Sequence, residues 1–114
     1  MIAYNATRGA AVAMKVERAD TAASRSKGLL GRESLAIDEA LWIVPCPMIH
    51  TFFMKFPIDV LFLDADLQVR RVIEDLKPWR LSPWVLSARS VLELKGGALK
   101  GAVRVGDRLE MRPA

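Results

Sequence analysis

Cys46 and His50, the only cysteine and the only histidine of the chain, stand four residues apart, and Asp59 follows nine residues later. A thiol, an imidazole and a carboxylate are the parts of a nucleophilic centre: Cys46 attacks, His50 takes the proton, and Asp59 orients the ring. His50 and Asp59 alone would make an acid–base pair. Spacing resists the thiol–imidazole dyad. Four residues of extended chain span about 13 Å, at roughly 3.3 Å each, against a hydrogen-bond reach of about 3 Å. Pro47 opposes a helix across them, so only a sharp bend at that proline joins them. The plainer role for Cys46 is a small apolar residue in a packed site. A structural zinc wants four ligands, and there is no second Cys or His, so neither a metal nor another cofactor is expected.

Asp59 is the more informative acid. It lies inside Pro57-Ile58-Asp59-Val60-Leu61-Phe62-Leu63, a strand that buries nearly every side chain. An ionised carboxylate there costs several kcal/mol unless it is paired or hydrogen-bonded. It therefore meets a cation (His50, Lys55 or an arginine), meets a backbone donor, or sits at a cavity mouth. Glu93 repeats the pattern between Leu92 and Leu94. Either it faces water from a half-exposed strand, or it points inward toward Lys55 or Arg25, in one polar cluster with Asp59. Trp79 and Trp84 stand in a loop with Pro78 and Pro83, as a plug over the core or a platform for a sugar, a proline or a base. Phe52, Phe53, Phe56, Phe62 and Trp42 are most simply core.

Strands must position these groups. Val12, Met14 and Val16 alternate with polar or small residues, as a strand with one buried face does. Leu41–Val44, Ile49–Met54, Ile58–Leu63, Leu67–Ile73, Val91–Leu94 and Leu109–Met111 read as six more. Asp64-Ala65-Asp66 is a tight turn that makes a hairpin of the fourth and fifth in this series. Asp20 or Thr21 caps a short helix through Ala22 to Leu30, ended by Gly31. Gly96-Gly97 opens a turn or second short helix, and Leu76–Trp84 is a proline loop. The pattern predicts a mainly β, compact, single-domain, barrel-like structure with one or two short helices, in which closure hides strand edges.

The bounds agree. At 114 residues and 52% hydrophobic, the chain scales to about 6,200 Å² folded against roughly 18,000 Å² extended, which permits a real core without staples. One cysteine excludes a disulfide scaffold and fits a reducing compartment. The longest apolar stretch, Ala40 to Ile49, is about half of the roughly 20 residues of a membrane helix. Met1 to Ala13 shows no secretory pattern, so a cytoplasmic location is expected. The net charge is +4, but only Arg70 and Arg71 are adjacent and acids are interspersed, which disfavours a nucleic-acid surface.

Four motifs in order carry a resemblance. They are Arg25-Ser26-Lys27-Gly28-Leu29-Leu30-Gly31-Arg32; His50-Thr51-Phe52-Phe53-Met54-Lys55 followed by Pro57-Ile58-Asp59-Val60-Leu61-Phe62-Leu63-Asp64; Val91-Leu92-Glu93-Leu94 with Gly97; and Val105-Gly106-Asp107. Over about residues 11–112 the chain resembles DUF192, a family of bacterial and archaeal proteins to which no activity is assigned. The family often has Trp where Phe53 stands, and a longer polar turn where only Phe56 intervenes here. The resemblance implies a β-rich, barrel-like single domain and brings no activity with it. The expected function is a non-catalytic binding module, with Met54 and Trp79 lining a cleft near Asp59. Asp59, Lys55, Glu93 and Arg25 are its polar anchors, and a small molecule, a glycan or a peptide is the ligand. The alternatives are an enzyme using His50 and Asp59, with Cys46 as a further reactive group, and an accessory subunit with a protein partner.

Overall fold

The computed structural model describes all residues from Met1 to Ala114. Strands β1 (Ile2–Asn5), β2 (Ala10–Ala13) and β3 (Lys15–Ala19) come first, then helix α1 (Ala22–Lys27) and strand β4 (Glu39–Ile43). Strands β5 (Ile58–Leu63), β6 (Val69–Leu76), β7 (Ser90–Lys95) and β8 (Leu109–Arg112) follow. They form two sheets, a three-stranded one in the order β2-β1-β8 and a five-stranded one in the order β3-β4-β7-β5-β6. All pairings are antiparallel except β3 with β4. The barrel-like expectation thus resolves into two packed sheets rather than one closed cylinder. No helix is long and apolar enough to cross a membrane.

The five-stranded sheet is apolar on both faces, so β5 and β7 are buried almost throughout. One face presents Leu61, Leu63, Leu92 and Leu94 to Ala3, Ala13 and Leu109 of the smaller sheet. The other presents Leu41, Ile43, Ile58, Val60, Phe62 and Val91, and no sheet covers it. Irregular chain does, through Leu29, Leu35, Ile49, Met54 and Ala88. A face covered by loops leaves clefts more readily than one covered by a regular layer, and the candidate site lies here.

Several sequence expectations shift for identifiable reasons. Met14 is half exposed and not on a buried face, because the chain changes sheets there. The N–H groups of both Met14 and Lys15 turn to the Asp38 carbonyl, splitting the expected strand into β2 and β3. Thr21 caps α1, accepting from the Ser24 N–H at 3.0 Å. The helix ends at Gly28, three residues before Gly31, with Gly28 in the left-handed region at φ 48°. Gly96-Gly97 opens a turn, so α1 is the one helix. Ile49–Met54 is not a strand. Its apolar residues Ile49 and Met54 cover the second core, and its backbone bonds go to a loop: Thr51 N–H to the Arg80 carbonyl, and Ser82 N–H to the Ile49 carbonyl.

Candidate functional site

Asp59 has its partner, and the partner is backbone. Its carboxylate, fully buried, accepts from the N–H groups of Asp75 at 2.8 Å, Gly97 at 3.1 Å and Leu99 at 2.9 Å. The left-handed conformation of Gly97, φ 90°, turns the chain after β7 back onto β5 so that those amides converge. Asp59 therefore ties β5 to the end of β6 and to the turn after β7. No cation joins it, contrary to the expectation for His50 or Lys55. Lys55 is exposed and pairs with Glu33, across a stretch that sequence spacing did not connect.

Glu93 is the acid without a partner. On central strand β7 it sits beside Leu41 of β4 and Val60 of β5, on the face opposite Asp59, so the two carboxylates do not form one cluster. Its residue is 3% exposed. Burial, with no hydrogen bond to offset it, pushes its carboxyl up from 4.5 to about 8. The group is held protonated at neutral pH because a lone charge in an apolar wall is costly. Perturbed groups of this kind in a cleft are candidates for a functional site.

The cleft above Glu93 measures about 250 Å³ and runs between the end of α1 with Gly28 to Leu30 and the segment from Pro45 to His50. Arg25, Cys46 and Met54 join Glu93 in its lining, while Asp59, Lys55 and Trp79 do not. Four of the expected site residues are thus brought together with His50, and the cleft lies over Glu93 rather than between Asp59 and Trp79. Sequence reasoning missed Met48, which also lines it.

Cys46 is half-buried, and its thiol donates to the Met48 carbonyl at 2.9 Å. Burial pushes its pKa up, against the opposing pulls of the Met48 hydrogen bond and of Arg25. A thiol so placed is a poor nucleophile. Alkylation by iodoacetamide at pH 7.5 should run slower than that of a free cysteine, because reactivity follows the thiolate fraction. A rate at or above the free value would restore the enzyme alternative. His50 and Cys46 share the cleft wall but no hydrogen bond joins them: the His50 Nδ1 accepts from the Phe52 N–H at 3.3 Å. No group of three or more His, Cys, Asp and Glu side chains is placed to hold a metal ion.

Beside the cleft stands an aromatic shelf. The His50 ring stacks on Phe52 at 5.1 Å, and Trp79 lies against Phe53 with centroids 4.6 Å apart. Phe52 and Phe53 are exposed, which corrects their assignment to the core. Phe53 and Trp79 both have φ 65°, a left-handed backbone that costs a bulky residue on the order of 1 kcal/mol or more. Buried Thr51 holds the arrangement. Its hydroxyl donates to the Lys77 carbonyl at 2.6 Å and accepts from the Arg80 N–H at 2.8 Å, while its carbonyl accepts from Trp79. Sequence analysis gave Thr51 no role, since its partners lie 26 to 29 residues away.

The DUF192 family model, described as "Uncharacterized ACR", matches residues 3–111. A UPF0127 protein of Pyrococcus furiosus is 31% identical over 112 residues, covering 93% of this chain and 94% of its own. A solved structure of a protein of unknown function from Novosphingobium aromaticivorans superposes with TM-score 0.83 at 24% identity, over 96% of this chain and 83% of that one, a likeness of fold. One from Sinorhizobium meliloti, described as a candidate transcription regulator, gives TM-score 0.79 at 28% identity, over 96% and 89%.

Proposed function

We propose, from the premise that this chain belongs to the DUF192 family, that it is a non-catalytic binding module whose ligand enters the cleft over Glu93. The observation that carries this is a buried carboxyl with no protein partner at the base of a cleft of about 250 Å³. A group held there at the cost of its own solvation gains most from a visitor that satisfies it. Arg25 supplies a fixed positive charge in the same lining, and Leu29, Leu30 and Ile43 supply apolar wall. The combination suits a small molecule, or the end of a glycan or peptide, with a polar head and an apolar body. The aromatic shelf at His50, Phe52 and Trp79 gives a larger ligand a surface to lie along. Catalysis is disfavoured by the protonated, carbonyl-bonded thiol of Cys46. A nucleic-acid ligand is disfavoured because many basic side chains are already paired, among them Arg8 with Asp107, Arg32 with Glu17 and Arg70 with Asp64.

The test is a fragment screen by protein NMR, using small organic acids, amines and monosaccharides. Amide shifts are expected to cluster at residues 25–30, 43–50 and 93, and to weaken about tenfold in an Arg25→Ala protein, as loss of a charged hydrogen bond worth about 1.5–3 kcal/mol implies. Shifts scattered over the surface, or unchanged by that substitution, would remove the cleft from consideration.

A further inference from the structure

The chain has six sulfur-bearing side chains, five methionines and one cysteine, and three of them, Cys46, Met48 and Met54, line this one cleft within nine residues. These sulfurs share the cleft with Glu93 but lie on different chain segments from it. A thiol and two thioethers are soft, polarisable donors. A set of two thioethers and one thiolate suits monovalent copper; magnesium and calcium favour oxygen, and a structural zinc wants four thiolate, imidazole or carboxylate ligands. We infer that the cleft binds one Cu(I) ion through Cys46 Sγ and the Sδ atoms of Met48 and Met54. This inference rests on the cleft being a binding site and names its ligand.

Two further features fit. Glu93, 3% exposed and without a hydrogen-bond partner, lines the same cleft and leaves an oxygen free to face a bound ion. Arg25, also in the lining, opposes the ion but favours the thiolate that binds it. On coordination the Cys46 S–H bond breaks, the sulfur keeps the electron pair for copper, and the proton leaves to solvent. Copper stays monovalent throughout, so no oxidant or reductant is consumed. His50 lies at the edge of the cleft with its Nδ1 already accepting from the Phe52 N–H. The proposed set is the three sulfurs alone, and the His50 variant below tests whether its free Nε2 joins them.

The experiment titrates the whole chain under anaerobic conditions with Cu(I) supplied as its acetonitrile complex, against bicinchoninate as competitor. One equivalent should be taken up. Cys46→Ser should weaken uptake by at least roughly 100-fold, and Met48→Leu with Met54→Leu by at least about tenfold, since loss of a direct ligand costs no less than the roughly 10- to 100-fold that changes around the ligands cost. His50→Gln should change it by less than about threefold, and Zn(II) should not compete. Each variant is first checked for a wild-type circular dichroism spectrum. Should Cys46→Ser unfold, the double methionine variant and competition by Ag(I), a second soft probe, decide instead. No uptake, or uptake that survives loss of both methionines, overturns the inference. If copper fails while organic fragments still shift residues 25–30 and 43–50, the metal assignment falls and the binding module stands; if both fail, both fall.

Discussion

An Asp59→Ala protein should melt about 15–25 °C below the native one, or fail to accumulate in folded form. Three buried or half-buried backbone donors, on Asp75, Gly97 and Leu99, converge on that carboxylate. Each donor left unsatisfied costs about 1–3 kcal/mol. Water can reach some of the vacated space, so the sum is about 3–5 kcal/mol, a large part of the 5–15 kcal/mol typical of a domain. In a chain of this size 1 kcal/mol moves the midpoint by about 4–8 °C. Asp59→Asn keeps one acceptor oxygen and should lose less than half as much. Trp79→Ala, at an exposed ring, should change the midpoint by only a few degrees. Thermal unfolding followed by circular dichroism separates these cases. An alanine variant melting within about 3 °C of wild type would show that the three amides find other partners and that Asp59 is not the tie between β5 and the turn after β7.

The second large effect belongs to Glu93 and depends on pH. Its carboxyl titrates near 4.5 in an open chain and near 8 when folded. Between those values the native state holds a proton that the unfolded chain has released. Stability from this group is fully present below about pH 4.5, falls as pH rises through the interval, and levels off above about 8. The loss across the window is at most on the order of 5 kcal/mol, at about 1.4 kcal/mol per pH unit. Glu93→Gln, which cannot ionise, should be nearly level over the same range and clearly more stable than wild type at pH 9. Urea unfolding at several pH values between 5 and 9 measures this directly. Parallel curves for the two proteins would mean that Glu93 ionises freely in the folded state, and the cleft would lose the observation that singles it out. A ligand that brings a cation to Glu93 should flatten the wild-type curve, so the same measurement in the presence of Cu(I) joins the two halves of the functional proposal.

What the sequence disclosed and what it hid follow from the range of the forces involved. Strand β5 and its turn at Asp64-Ala65-Asp66 were legible because an apolar run and turn-forming carboxylates act over a few residues. The Asp64 carboxylate accepts from the nearby Asp66 and Gln68 amides. The Thr21 cap was legible for the same reason. Asp59 was recognised as needing a partner, but its partners lie 16 to 40 residues away, beyond any local pattern. Glu93 between two leucines was ambiguous. Alternation fixed its face, but not that loops would cover that face. Ile49–Met54 was misjudged because apolar composition signals burial without saying whether a strand or a loop provides it. Phe52 and Phe53 were misjudged by the same rule, since a left-handed backbone at Phe53 turns its ring outward.

Strand β1 pairs with β8 so that Ile2 lies opposite Arg112. A short linker between the strands at Ile2 and Arg112 could therefore close the backbone of this domain into a ring. Cutting that ring at the exposed Ala65-Asp66 turn would give a circular permutant with every sheet pairing intact. The same adjacency would let the domain be spliced into a surface loop of an unrelated host as a cassette, with entry and exit at neighbouring points.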